Sequence, residues 1–207
     1  MYTLNKEAQK LITPEKATDL LKEGNKRFVS NLKFNRNLLQ QVNETSDGQH
    51  PFAVIISCMD SRTSAELVFD QGLGDIFSVR IAGNVINTDI VASAEFGCKA
   101  MGAKAIVVLG HTGCGAIKGS IEYVNLGHIT SITRKVQRSI PVLKERFPKM
   151  SPGDLCHELT KENTHQGVRD LLFMSPILRD MVEKNEIKIL SAMYDIKTGE
   201  VEFLESK

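Results

Sequence analysis

Four side chains that commonly bind metal ions stand in two tight groups. Cys58 and Asp60 lie in "CMDSR" (58–62), and His111 and Cys114 lie in "HTGCG" (111–115). Thiolate, imidazole and carboxylate are ordinary zinc ligands, and four of them complete a tetrahedral set. Each half alone is weak. A cysteine ending an apolar run is more often a small buried hydrophobe, a lone histidine a hydrogen-bonded core residue, and an aspartate a helix cap. The conjunction points to a metal, because two similar apolar runs end in the same way. Gly110, Gly113 and Gly115 surround the second group and let the backbone turn sharply beside a small ion. Cys114 is placed just before an expected helix, whose positive end favours a thiolate.

Arg62 adds a second chemistry. A guanidinium grips a carboxylate with two parallel hydrogen bonds, so Arg62 competes with the metal for Asp60. With Asp60 on the metal the site is closed and structural. With Asp60 held by Arg62 the fourth position opens to water, as catalysis requires. Zinc-bound hydroxide is a strong nucleophile near neutral pH. Two thiolates donate more charge than imidazoles, which makes the water a weaker acid and favours alkaline pH.

Elements of defined kind must bring these groups together. Three short apolar runs, 52–57, 76–81 and 105–110, read as buried strands. Helical stretches separate them, near 63–70 and 88–101, the second with Thr88 and Asp89 as its cap. Thr13 as N-cap and Pro14 at the first helical position start an amphipathic N-terminal helix, and 35–49 reads as a loop. Beyond Gly115 come a helix, a longer one split by Pro141, another over 154–173 and a short one after Pro176. A strand over 187–196 then turns through "KTG" into "VEFLE" as a hairpin. The alternation predicts an α/β fold: a central, mostly parallel β-sheet flanked by helices, with an N-terminal helical arm over about 1–48 and C-terminal hairpin-like strands. In such sheets ligands bind beyond the strands' carboxyl ends, where Cys58 and His111 fall.

Composition narrows the partners. With 207 residues, 42% apolar and 25% charged, a single domain over 1–207 is expected. Twenty-six basic residues against 25 acidic give a net charge of +1, which offers nucleic acid and membrane surfaces nothing to bind. No apolar run spans a bilayer and the first residues lack the apolar core of a secretory signal, so a cytoplasmic location is expected. Four cysteines in a chain of this length argue against a disulfide scaffold.

The paired motifs resemble the β-class carbonic anhydrases, which carry C-x-D-x-R and, about fifty residues later, H-x-x-C; here 52 residues separate Cys58 from His111. "GDIFSVRIAGNV" (74–85) is similar to the segment between the motifs. The resemblance implies one zinc per chain on Cys58, His111 and Cys114, with Asp60 and Arg62 as the gating pair. The implied reaction is reversible hydration of carbon dioxide to bicarbonate. It further implies a substrate pocket involving Gln49, Phe77, Gly83 and Gly113, N-terminal helices that reach across to another subunit, and a homodimer that often pairs again into a homotetramer. Phe96 is a candidate wall for an apolar slot, as are Phe52, Val54 and Val79, some of them from across the dimer.

Two positions depart from the pattern. Ile81 stands where many members carry Asn, which predicts altered polar contacts around Arg80. Ile55 replaces the Trp of an allosteric subgroup, so that subgroup's bicarbonate switch is not expected in its usual form. Two other functions fit the same ligands: a hydrolase of carbonyl sulfide or carbon disulfide, and a zinc-binding module without turnover. Arg62 speaks against the last. Elsewhere, Cys98 and Met59 are expected to pack inward. Cys156, His157 and His165 read as core or solvated residues.

Overall fold

A computed structural model of the chain describes residues 3–205. Five strands form one sheet in the order β2-β1-β3-β4-β5. They are β1 (Ala53–Ser57), β2 (Ile76–Arg80), β3 (Ala105–His111), β4 (Lys188–Tyr194) and β5 (Val201–Phe203). The first four run parallel and β5 closes antiparallel on β4, as the alternating pattern and the final turn predict.

Every residue of β1 and β3 is buried, the mark of central strands covered on both faces. One face presents Ala53, Ile55, Ala105, Val107 and Leu109 to α2 (Pro14–Val29) and α4 (Ala65–Val68). The other presents Val54, Ile56, Ile106 and Val108 to α5 (Thr88–Glu95), α9 (Pro152–Met174) and α10 (Pro176–Glu183). A third cluster sits past the strands' carboxyl ends. There Cys58, Val85 and Cys114 pack with α6 (Gly115–Ile121), α7 (Ile129–Gln137), α8 (Ile140–Arg146) and the start of α9. The metal-ligand motifs enter this cluster.

Local sequence accounts for most boundaries. Thr13 caps α2 by accepting from the Lys16 amide, with Pro14 at the first position. The stretch carrying Pro141 divides after Gln137, and Pro141 serves the first turn of α8, where its missing N–H costs nothing.

Two expectations are corrected, and one element is added. The segment 35–49 contains a helix, α3 (Leu38–Glu44), because Asn37 caps the Gln40 amide; its polar composition hid the cap. A further short helix, α1 (Lys6–Lys10), precedes α2. The helix beginning at Thr88 is capped by Asn87, which accepts from the Ile90 amide; neither Thr88 nor Asp89 supplies the cap.

The arm is tied to the sheet at a buried charge. Asp70, only 2% exposed, follows α4 and takes Arg27 of α2 and Arg36 of the arm as partners. Burial acts to raise its pKa, but the Arg27 and Arg36 hydrogen bonds outweigh this and hold it lowered. The Phe34 ring lies against Arg27.

Candidate metal centre

Three donors converge where β1 and β3 end. The Cys58 sulfur, a ring nitrogen of His111 and the Cys114 sulfur all lie within 4.8 Å of one another, and all three residues are buried. The two sulfurs are 3.9 Å apart. Two thiolates at ordinary zinc distances and tetrahedral angles stand about 3.8 Å apart, so the spacing suits that ion. His111 is oriented for the same purpose. Its Nδ1 lies 3.0 Å from the Thr112 carbonyl oxygen, which only accepts, so Nδ1 carries the proton. Nε2 is buried and has no hydrogen-bond partner. A buried lone pair left unpaired is costly, and a cation between these atoms relieves that cost. Nδ1 bonded to a backbone carbonyl is the usual support of a metal-bound imidazole.

The sulfurs behave as one unit. The Cys114 thiol pulls Cys58 down to about 4; His111 and the Gly83 amide act in the same direction and burial opposes them. The same contact, with burial, pushes Cys114 up. The first proton leaves readily, and the one that remains is shared between the sulfurs and held tightly. A cation would displace it, as metal binding to thiols does.

Asp60 points elsewhere. Arg62 Nε donates to Oδ1 at 2.8 Å and Nη2 to Oδ2 at 2.7 Å, and the Arg62 amide adds a third bond to Oδ1 at 3.0 Å. This is the two-pronged grip expected from the motif. The Arg62 hydrogen bond, against an opposing effect of burial, holds Asp60 well below the usual carboxylate range. Asp60 is therefore ionised and stands outside the cluster of three donors.

Residues with no obvious metal chemistry brace the first motif. The Thr63 hydroxyl donates to the carbonyls of Cys58 and Asp60. The Arg80 guanidinium reaches the same two carbonyls, Nε to Cys58 at 3.2 Å and Nη2 to Asp60 at 2.5 Å. Beside Ile81, Arg80 makes these contacts to main-chain carbonyls. Gly83, at φ +66, donates its N–H to the Cys58 sulfur at 3.3 Å. Gly113, at φ +68, makes the turn between His111 and Cys114. These positive φ values suit glycine.

Two apolar candidates, with Gln49, stay outside this assembly within one chain. Gln49 is exposed and precedes the amino end of β1, whereas the donors follow the carboxyl end. Phe77 sits beside Val54 in the amino half of β2 and pairs with Phe96 at 6.3 Å between ring centres; Phe96 is 55% exposed. Phe52 and Val54 are buried core, and Val79 packs against the α5–α9 face. Met59, expected to pack inward, is 65% exposed because the turn between Cys58 and Asp60 points it outward. Cys98 is buried at 2%, and burial pushes its thiol up to about 12. Cys156, His157 and His165 form no donor cluster among the described residues; the His165 ring lies 3.0 Å from the Ser191 hydroxyl.

The carbonic anhydrase family model matches residues 53–201, which include both motifs. The chain belongs to the β-class carbonic anhydrase family. Carbonic anhydrase 2 of Mycobacterium tuberculosis is 35% identical over 192 residues, covering 90% of each chain. The carbonic anhydrase of Mycolicibacterium smegmatis is 33% identical, covering 91% of this chain and 92% of its own. Among solved structures, the β-carbonic anhydrase CcaA matches with a TM-score of 0.71 at 26% identity, over 91% of this chain and 95% of that one. The β-carbonic anhydrase CafA of Aspergillus fumigatus shares the fold, with a TM-score of 0.75 at 22% identity over 82% of each chain. Sequence reading missed Thr63, Arg80 as a main-chain brace, and Asn163 behind Gly83. Their partners are main-chain carbonyl groups, which every residue carries, and those of Arg80 and Asn163 are distant in the chain.

Proposed function

We propose that this carbonic anhydrase hydrates carbon dioxide to bicarbonate with one zinc ion per chain, held by Cys58, His111 and Cys114. The observation that carries the reading is the pairing of a buried three-donor set with a fourth candidate, Asp60, that Arg62 holds aside. Zinc at such a site supplies Lewis acidity that activates water as a nucleophile near neutral pH. The chain's own groups do the rest. Arg62 keeps Asp60 off the fourth position. Asp60, ionised and acceptor-only, takes a hydrogen bond from the attacking water and orients it. Thr63 and Arg80 hold the Cys58–Asp60 main chain, so the backbone stays put while the Asp60 and Arg62 side chains, 18% and 51% exposed, retain room to exchange partners. Released from Arg62, Asp60 would be the fourth residue able to hold the metal and would close the site to water.

The working unit in this reading is a homodimer or a pair of dimers. β2 is an edge strand, and exposed apolar side chains flank it, Leu67 at 58% and Phe96 at 55%. An open edge with apolar neighbours invites a partner. Gln49, Phe77 and Phe96, distant from the donors in their own chain, would line the slot of a second copy, where an apolar wall suits a small neutral substrate. No helix among the described residues is long and apolar enough to cross a membrane; we place the enzyme in the cytoplasm.

The test is carbon dioxide hydration before zinc is stripped with a chelator, after stripping, and after zinc is returned. Loss and recovery of turnover in step with zinc content is the expected result. Turnover that survives complete removal overturns the reading. Turnover of carbonyl sulfide but not of carbon dioxide would reassign the substrate to sulfur compounds while leaving the metal in place.

A further inference from the structure

The Cys58 sulfur accepts a main-chain hydrogen bond from the Gly83 amide at 3.3 Å. Gly83 lies in the left-handed region at φ +66, inside the short helical turn Ala82–Asn84, and Asn84 after it is also left-handed at φ +43. Two consecutive left-handed residues are an unusual conformation that surrounding structure must hold. A β-carbon on Gly83 would stand 3.1 Å from the Ala116 β-carbon, so the turn is also pressed against α6. The hold comes from across the cluster. Asn163, 7% exposed on α9, donates from Nδ2 to the Gly83 carbonyl oxygen at 2.8 Å. That bond fixes the far side of the same glycine whose N–H faces the sulfur.

We propose that Asn163 is a positioning residue: by clamping the Gly83 carbonyl it keeps the Gly83 N–H on the Cys58 sulfur and so sets how much charge that thiolate gives the metal. The proposal rests on the zinc reading above. A hydrogen bond to a metal-bound thiolate withdraws electron density from sulfur, and such outer contacts tune metal sites and orient their ligands. The spatial route, α9 to glycine to thiolate, joins residues 58, 83 and 163, which share no sequence motif. The long helix then does more than cover the sheet: one of its buried polar side chains sets the electronics of the site.

The test uses the full chain loaded with cobalt(II), whose sulfur-to-metal charge-transfer band reports electron density on the thiolates. Asn163→Leu removes the donor at similar volume, Asn163→Ala removes it with space to relax, and Leu171→Val loosens the same helix at its buried apolar face without touching a polar group. The expected result is a band moved to longer wavelength and slower metal release to a chelator in both Asn163 variants, because a thiolate relieved of the hydrogen bond is the stronger donor, with Leu171→Val matching the parent. If Asn163→Leu does not fold, Asn163→Ala carries the comparison. Parent-like bands and release in the Asn163 variants, or equal changes in Leu171→Val, overturn the proposal while the zinc reading stands. A parent chain that shows no thiolate band with cobalt overturns both.

Discussion

The two strand ends that build the site are made differently. At the end of β3, His111 and Cys114 are each 1% exposed, and the turn between them is fixed by a left-handed glycine. At the end of β1, Cys58 is 5% exposed, but two residues later the Asp60 side chain is 18% exposed and Arg62 51%. Both ends hold donors, yet only one carries a charged pair with room to exchange partners. Under the proposed function this is a division of labour: the central strand would supply the fixed holder, and the strand beside the sheet edge the movable gate. Main chain at the gate is nevertheless tied down, by Thr63 and Arg80 at the carbonyls and by the Asp70 cluster behind α4.

The largest effect is expected from breaking the holder. Cys114→Ala leaves two donors where three stood, so zinc content measured by atomic absorption should fall to background and turnover with it. Retained zinc would mean that the holder lies elsewhere. Next in size is the anchor behind the gate. Asp70→Asn leaves Arg36, whose side chain is 8% exposed, without its counter-charge, and breaking such a buried pair costs about 3 kcal/mol or more, read as a lower midpoint in urea unfolding. The pH dependence has a definite sign. Because the folded Asp70 pKa is lowered, its stabilisation is fully present above the unfolded value of about 3.9 and is lost as pH falls through the folded one. Thermal melts from pH 7 to pH 3 should show that loss in the parent and a smaller one in Asp70→Asn; equal slopes would remove Asp70 from the account.

Breaking the gate should separate holding from turnover. Arg62→Ala is expected to keep one zinc per chain, because no donor is lost, while turnover falls about 10–100-fold as Asp60 takes the fourth position. Unchanged turnover would sink the gating idea. The smallest effect is expected at the main-chain brace. Thr63→Val removes one hydroxyl donor from carbonyls that Arg80 still serves, and should cost about 1 kcal/mol in urea unfolding with zinc content unchanged.

Much of this was legible from residue types and spacing. The strand runs, the helix after Gly115, the break near Pro141 and the final hairpin follow from burial period, glycine and proline chemistry, which are local. The donors were legible because metal ligands are few in kind and their paired spacing is rare. What escaped detection depended on main-chain partners, some of them distant in the chain, or on local features without a distinctive composition. Thr63 and Arg80 act through carbonyl groups, which every residue has. Asn163 meets a glycine 80 positions earlier. Helix α3 was hidden because its length, Leu38–Glu44, is short and its face is polar apart from Leu38, Leu39 and Val42, all exposed in a single chain. Met59 was misplaced because a residue between two ligands need not face the way they do.

The central claim is that the holder binds zinc while the Arg62-held carboxylate leaves a position for water. Stopped-flow carbon dioxide hydration from pH 7 to pH 9, on protein assayed for zinc in the same sample, tests it most directly. The account expects one zinc per chain and turnover that rises with pH across that range. Full zinc occupancy with no turnover at any pH would contradict it and leave the site a closed structural one.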